Sequence, residues 1–138
     1  MSAESDILQK YKVVAVVGLS PNEDRASFHV ASYLKANGYM IVPVNPTAAE
    51  ILGEKCYPDL EKITCDVEVV DVFRRSSEVL AIVEQAIKVG AKAIWMQEGI
   101  LNDEAAEVAR RAGLTVVMDK CMLKEHQKLR AEGLIGSD

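Results

Sequence analysis

At 138 residues the chain has the length of one domain, and with 49% hydrophobic and 27% charged residues its composition is that of an ordinary globular protein. Its net charge is −5, with no basic tail to offset it, which excludes a nucleic-acid or membrane-surface protein. No apolar run approaches the roughly 20 residues of a membrane span.

Residues 1–10 contain no apolar h-region and carry Glu4 and Asp6, so they do not read as a signal peptide; a short helix over 3–11 is expected. The run Val13-Val14-Ala15-Val16-Val17 follows, five apolar residues of which four are β-branched. That pattern fits a strand buried on both faces, as in the middle of a parallel sheet. It ends on Gly18, then a polar loop from Ser20 to Arg25, then a helical pattern over 26–37 with Ser27, Val30, Ala31 and Leu34 on one stripe. Strand, glycine, loop and helix make the first βα unit of a dinucleotide-binding sheet, where a phosphate approaches the backbone and the helix N-terminus favours an anion.

A second strand is predicted over 39–44, closed by Asn45-Pro46. Residues 48–52 read as one helical turn, Tyr57-Pro58-Asp59 as a turn, and Leu60 to Ile63 as a short helical segment. A third strand covers 67–73, followed by the polar loop Arg74-Arg75-Ser76-Ser77. Val79, Ile82, Val83, Ala86 and Ile87 then give the clearest helical period in the chain. A fourth strand covers 91–96, and Gln97 to Leu101 form the loop after it. Asn102 caps the next helix, whose acids lead and whose arginines trail. A fifth strand covers 114–118, a last helix covers 120–132, and residues 133–138 are expected to fray.

Strands alternate with helices throughout, which predicts an α/β fold: three layers, α/β/α, with a five-stranded mainly parallel sheet in the order 3-2-1-4-5. Ligands in such sheets bind beyond the carboxyl ends of the strands at the switch point. The expected crevice is lined by residues 18–25, 45–47, 73–76 and 97–100. Among the nearby cations Arg25, Lys55, Arg74 and Arg75, the best placed for a phosphate are Arg25 and Arg74.

Two signals of a nicotinamide-dinucleotide enzyme are missing. Gly18 is the only glycine before residue 38, so the full G-x-G-x-x-G fingerprint is absent. Asn45-Pro46 stands where an acidic residue would hold a ribose 2′-hydroxyl. No catalytic set emerges. His29 and His126 have no evident acidic partner, Glu98 stands alone in its loop, and Trp95 with Met96 reads as core. Cys56, Cys65 and Cys121 are odd in number and lack C-x-x-C spacing, so they read as free thiols in the cytoplasm rather than zinc ligands or a disulfide frame.

The ordered segments V-V-A-V-V-G-L-S-P-N-E-D-R-A-S, Y-M-I-V-P-V-N-P, V-D-V-F-R-R, A-I-W-M-Q-E-G-I and V-V-M-D-K-C-M-L-K-E-H resemble the small stand-alone CoA-binding proteins. More distantly they resemble the CoA-binding domain of the succinyl-CoA synthetase α subunit and of ADP-forming acyl-CoA synthetases. The resemblance covers about residues 10–130. It implies a Rossmann-like domain binding coenzyme A or an acyl-CoA, with a homodimer or a separate enzyme left open as protein partner. By resemblance, Gly18, Leu19, Ser20 and Pro21 match the phosphate loop, and Val44, Asn45 and Pro46 the edge beside the adenosine. Phe73 and Arg74 match the wall after the third strand, and Gln97, Gly99 and Ile100 the loop after the fourth. Pro21 stands in the region where the synthetases carry a second glycine. Their phosphohistidine domain has no counterpart in these residues, so binding without catalysis is expected. A small NAD(P)-dependent oxidoreductase with a degenerate fingerprint is the alternative.

Overall fold

A computed structural model describes residues 2–135. Helix α1 (Ala3–Lys10) is capped by Ser2, whose Oγ accepts from Ser5 N at 3.0 Å. Strand β1 (Val13–Val17) leads through α2 (Ala26–Ala36) to β2 (Met40–Val44). A two-residue-per-strand hairpin, β3 (Glu50–Ile51) and β4 (Glu54–Lys55), precedes β5 (Val69–Val72). Then come α3 (Val79–Lys88), β6 (Ala93–Met96), α4 (Asp103–Arg111), β7 (Thr115–Val117) and α5 (Met122–Ala131). Among the described residues no helix is long and apolar enough to cross a membrane.

The α/β class and the parallel five-stranded sheet are as expected. The strand order is not. The main sheet runs β2-β1-β5-β6-β7, which in order of appearance is 2-1-3-4-5 rather than 3-2-1-4-5. The third strand pairs with β1, Val14 opposite Val69 and Val17 opposite Val72, instead of extending the sheet beyond β2. Two features impose this. All four residues of β5 are buried, which suits a central strand. β2 contains Pro43, which has no N–H for a ladder and so belongs on an edge. Its carbonyl accepts from Tyr57 N at 3.0 Å, and Asn45 N donates to Tyr57 O at 2.9 Å, so the segment returning from the hairpin covers the outer edge of β2.

That hairpin replaces the helical turn expected over 48–52. Leu52 and Gly53 both have positive φ (56° and 75°) between the pairs Ile51–Glu54 and Glu50–Lys55, as the two central residues of a type I′ turn do. The expected helical segment after Pro58 is a 3₁₀ turn, Leu60–Lys62, capped by Asp59.

Side chains of α3 and α4 pack on one face of the sheet, and those of α1, α2 and α5 on the other. Trp95 is fully buried on the second face, as expected for core, and its Nε1 donates to Lys120 O at 2.8 Å. The expected fraying after α5 does not begin at Gly133. Leu134 N donates to Leu129 O, and Gln9 Nε2 on α1 donates to Leu134 O at 2.8 Å. Residues 136–138 lie outside the described residues.

Candidate functional site

The corrected order moves the switch point. β1 connects forward to β2 on one side and lies against β5 on the other, so the chains leaving β1 and β5 diverge side by side. Gly18 sits at that divergence with φ +89°. Its N–H donates to Val44 O at 3.0 Å, and Phe73 N donates to Val17 O at 2.9 Å. A Cβ on Gly18 would stand 2.8 Å from both Phe73 O and Arg74 Cδ, so only glycine fits between these two exits.

A cavity of about 630 Å³ opens here, within the usual range for small-molecule sites. Gly18, Ser20 and Arg25 form one lip, Val44, Asn45 and Pro46 the second, and Arg74 a third. Phe73 lines a smaller adjoining cavity of about 270 Å³ with Ser20, Arg25 and the first residues of α2. The loop between β1 and α2 is held by its own polar side chains. Ser20 N donates to Ser27 Oγ at 3.0 Å, Asn22 N to Ser20 Oγ at 3.1 Å, and Asp24 N to Asn22 Oδ1 at 2.9 Å. No side chain caps α2 at Arg25, and its first residues, Ala26 and Ser27, line the adjoining cavity.

Asn45 ties two of the lips together. Its Nδ2 donates to Leu19 O at 2.9 Å, and its Oδ1 accepts from Thr47 N (2.8 Å) and Ala48 N (3.0 Å). Leu19 thus contributes its carbonyl, while its side chain is fully buried in the core. Pro21 is exposed and lines neither cavity.

Gln97, Gly99 and Ile100 do not join this group. With β5 between β1 and β6, their loop lies one strand farther out than the expected order put it. Gln97 is buried and turned inward: Nε2 donates to Asp71 Oδ1 at 2.5 Å and Oε1 accepts from Met122 N at 3.4 Å. Gly99 N donates to Asp119 Oδ1 at 2.7 Å, and Ile100 N to Gln97 O at 2.9 Å. Asp71 itself is wholly buried in the central strand, and its Oδ2 has no hydrogen-bond partner. Burial pushes its carboxyl up to about 7, against the opposing hydrogen bond from Gln97.

The far wall has no counterpart among the residues expected from sequence. Pro58, Asp59 and Leu60 supply one part of it, and Ser77 and Glu78 from the 3₁₀ turn before α3, with Ala81, Ile82 and Gln85 of α3, the rest. Gln85 Oε1 accepts from Leu60 N at 3.3 Å, which pins the 3₁₀ turn to α3. The one signal available is Ala81 with Gln85, four residues apart and flanking the apolar stripe of α3. Arg74 donates to Glu78 Oε1 from Nη2 (2.8 Å) and Nε (3.2 Å), and this guanidinium holds the Glu78 carboxyl below its usual range. Among the described residues no carboxylate pairs with Arg25.

Both histidines lie off the cavity. His29 is exposed, whereas His126 is buried with Tyr33 Oη 2.7 Å from its Nδ1. Burial, then Arg130 and Lys12, holds that imidazole below its ordinary value. Glu98 pairs with Lys124 at 3.1 Å, and Lys55 lies over the Tyr57 ring, so neither lines the cavity. Cys56 is buried, Cys121 half-buried and Cys65 exposed, all as free thiols.

The family model described as CoA binding domain matches residues 12–127. The chain belongs to that family. It is 40% identical over 121 residues to the protein YneT of Bacillus subtilis, covering 88% of this chain and 90% of that one. It is 31% identical over 121 residues to the ADP-forming acetate–CoA ligase I of Archaeoglobus fulgidus, covering 80% of this chain but only 18% of the ligase. A solved structure of a hypothetical protein from Pyrococcus horikoshii OT3 superposes with TM-score 0.90 at 42% identity, over 94% of this chain and 93% of that chain. The dinucleotide-forming acetyl-coenzyme A synthetase 1 of Ca. Korarchaeum cryptofilum gives TM-score 0.70 at 26% identity, over 80% of this chain and 26% of that enzyme. The family member is therefore a Rossmann-like α/β domain related to one portion of the ADP-forming acetyl-CoA synthetases.

Proposed function

We propose that this CoA binding domain chain acts as a single module that holds coenzyme A or an acyl-CoA at the β1–β5 switch point and performs no catalysis by itself. The observation that carries the reading is the Gly18 turn: a backbone cradle beside the uncapped start of α2, with Arg25 and Arg74 on its lips. The pyrophosphate of CoA would lie against the Gly18 turn and the start of α2, where the helix dipole favours it. Val44, Asn45 and Pro46 would border the adenosine, with the apolar side of α3 opposite. A reducing, cytoplasmic setting suits three free thiols. Gly99 and Ile100 remain candidates for the far end of a long ligand, reached beyond β5, and Gln97, turned inward, would act there by holding their loop.

The same geometry argues against NAD. Both ligands carry a pyrophosphate, but NAD also offers a 2′-hydroxyl that wants a carboxylate, and Asn45 supplies an amide already engaged with Leu19 O. CoA offers a 3′-phosphate, for which a charged hydrogen bond is worth about 1.5–3 kcal/mol. Titration calorimetry is expected to show CoA binding roughly tenfold to hundredfold tighter than NAD, with dephospho-CoA between them. Asn45→Asp is expected to weaken CoA, because it adds a negative charge near the phosphate and removes the donor to Leu19 O; NAD should be held equally or better. NAD affinity equal to that of CoA would remove the basis for the assignment.

A second expectation concerns chemistry. The chain corresponds to 18% of the acetate–CoA ligase it resembles. Mixed with an organic acid, CoA and ATP or GTP, the purified protein is expected to form no thioester. Steady thioester formation would make it a ligase and overturn the binding-only reading.

A further inference from the structure

Arg74 does two things at the mouth of the cavity. Its aliphatic stem crosses the Gly18 turn, close enough that a single added carbon on Gly18 would meet Arg74 Cδ at 2.8 Å. Its guanidinium is drawn to the turn that opens α3, where Nε and Nη2 both donate to one oxygen of Glu78, itself a lining residue. The stem therefore rests against the turn at which the phosphate is placed. The charge best placed to meet that phosphate is meanwhile engaged by a carboxylate. Arg25, on the opposite lip, has no such partner among the described residues.

We propose that Glu78 is a latch: in the free protein it holds Arg74 across the Gly18 turn, and a ligand's phosphate opens the site by taking Arg74 from it. This rests on the CoA reading and adds to it the regulation of that site. Both side chains of the pair are more than a third exposed, at 48% and 38%. An exposed pair of this kind is weak, so the latch is easily undone. A phosphate, with more negative charge and bidentate oxygen geometry, is the better partner for a guanidinium. A neutral ligand offers the freed guanidinium nothing and must open the latch without compensation. The apparent affinity of any ligand is reduced by the fraction of molecules in which the turn is uncovered, so the latch favours phosphate-bearing ligands over neutral ones.

The test is a double-mutant cycle read by titration calorimetry with CoA on wild type, Glu78→Gln, Arg74→Ala and the double variant. Glutamine keeps the length and the accepting oxygen of Glu78 but removes its charge. Glu78→Gln is expected to bind CoA about threefold to tenfold tighter, Arg74→Ala about tenfold weaker. In the Arg74→Ala background, Glu78→Gln is expected to gain less than about twofold, because nothing is left to release. If wild type binds CoA but Glu78→Gln binds it no better, there is no latch and the CoA reading stands. An equal gain with and without Arg74 also overturns the latch, since Glu78 would then act only as a repelling charge. If none of the four proteins binds CoA, the CoA reading fails and takes the latch with it. Thermal unfolding of each variant confirms that it is folded.

Discussion

Gly18→Ala is expected to lower the unfolding free energy by about 2–5 kcal/mol and to weaken CoA binding by at least about a hundredfold. Two separate effects act at this position. The residue has φ +89°, and a side chain in the left-handed region costs about 1–2 kcal/mol. The added Cβ would also stand 2.8 Å from Phe73 O, a backbone atom at the end of β5 that cannot move without disturbing the strand. Overpacking of this kind costs about 1–3 kcal/mol. Gly38 separates the two effects. It has φ +93°, and nothing lies within 4 Å of its absent Cβ, so Gly38→Ala should carry the conformational cost alone. Urea unfolding of both variants decides the matter. Equal destabilisation at the two positions would mean that the β1 and β5 exits are not in close approach, and that the cradle is not built as described. Gly18→Val should be worse than Gly18→Ala, because a β-branched residue is strained further at positive φ. The weaker binding follows from the same displacement. Pushing the two exits apart displaces both Arg74 and the loop that leads to α2, and each charged hydrogen bond to the ligand that is broken costs about 1.5–3 kcal/mol.

The elements that form locally can be read from the residues. The Val13–Val17 run, the glycine closing it and the apolar stripe of α3 all announce themselves within a dozen positions. What cannot be read that way is which strands lie side by side. The order 3-2-1-4-5 and the observed order use the same strands and differ only in which edge the third one joins, a long-range choice. One residue does carry the answer. Pro43 marks the second strand as an edge, although it sits inside an apolar run that reads as an ordinary strand. The consequences reach the site. With β5 beside β1, Phe73 and Arg74 meet Gly18 directly, and the start of α3 becomes a wall of the cavity. The loop after β6 is displaced from it by the same step. The inward turn of Gln97 is hidden for another reason: a polar residue at a strand end suggests a crevice, and nothing nearby in sequence announces the buried carboxylate to which its amide donates. The hairpin is hidden because Leu52, a poor candidate for positive φ, shares its turn with Gly53.

That buried carboxylate gives the protein an unusual pH dependence. Asp71→Asn is expected to stabilise the protein at pH 8.5 by a few kcal/mol and by clearly less at pH 5, where only part of the interval has been crossed. The sign follows from the direction of the shift. The carboxyl is raised from 3.8 to about 7 in the folded protein, because burial disfavours its charge more than Gln97 favours it. A group raised in this way contributes stability that is fully present below its unfolded value and lost as pH rises through about 7. The interval corresponds to roughly 4 kcal/mol between the two limits. Asparagine stays neutral throughout and keeps an oxygen for the Gln97 donor, so it avoids that loss at high pH. At low pH it gains nothing and leaves an unpartnered amide where Oδ2 already lacked a partner. His126 acts in the opposite direction. Its imidazole is held below its unfolded value, so its contribution is present above about 6.5 and is lost as pH falls. Comparing Asp71→Asn with wild type at each pH cancels that second effect, because both proteins keep His126. Urea unfolding at pH 5 and pH 8.5 measures the difference directly. If the variant gains nothing at pH 8.5, Asp71 ionises in the fold as readily as in the unfolded chain, and its second oxygen must then have a charge-stabilising partner such as a bound water.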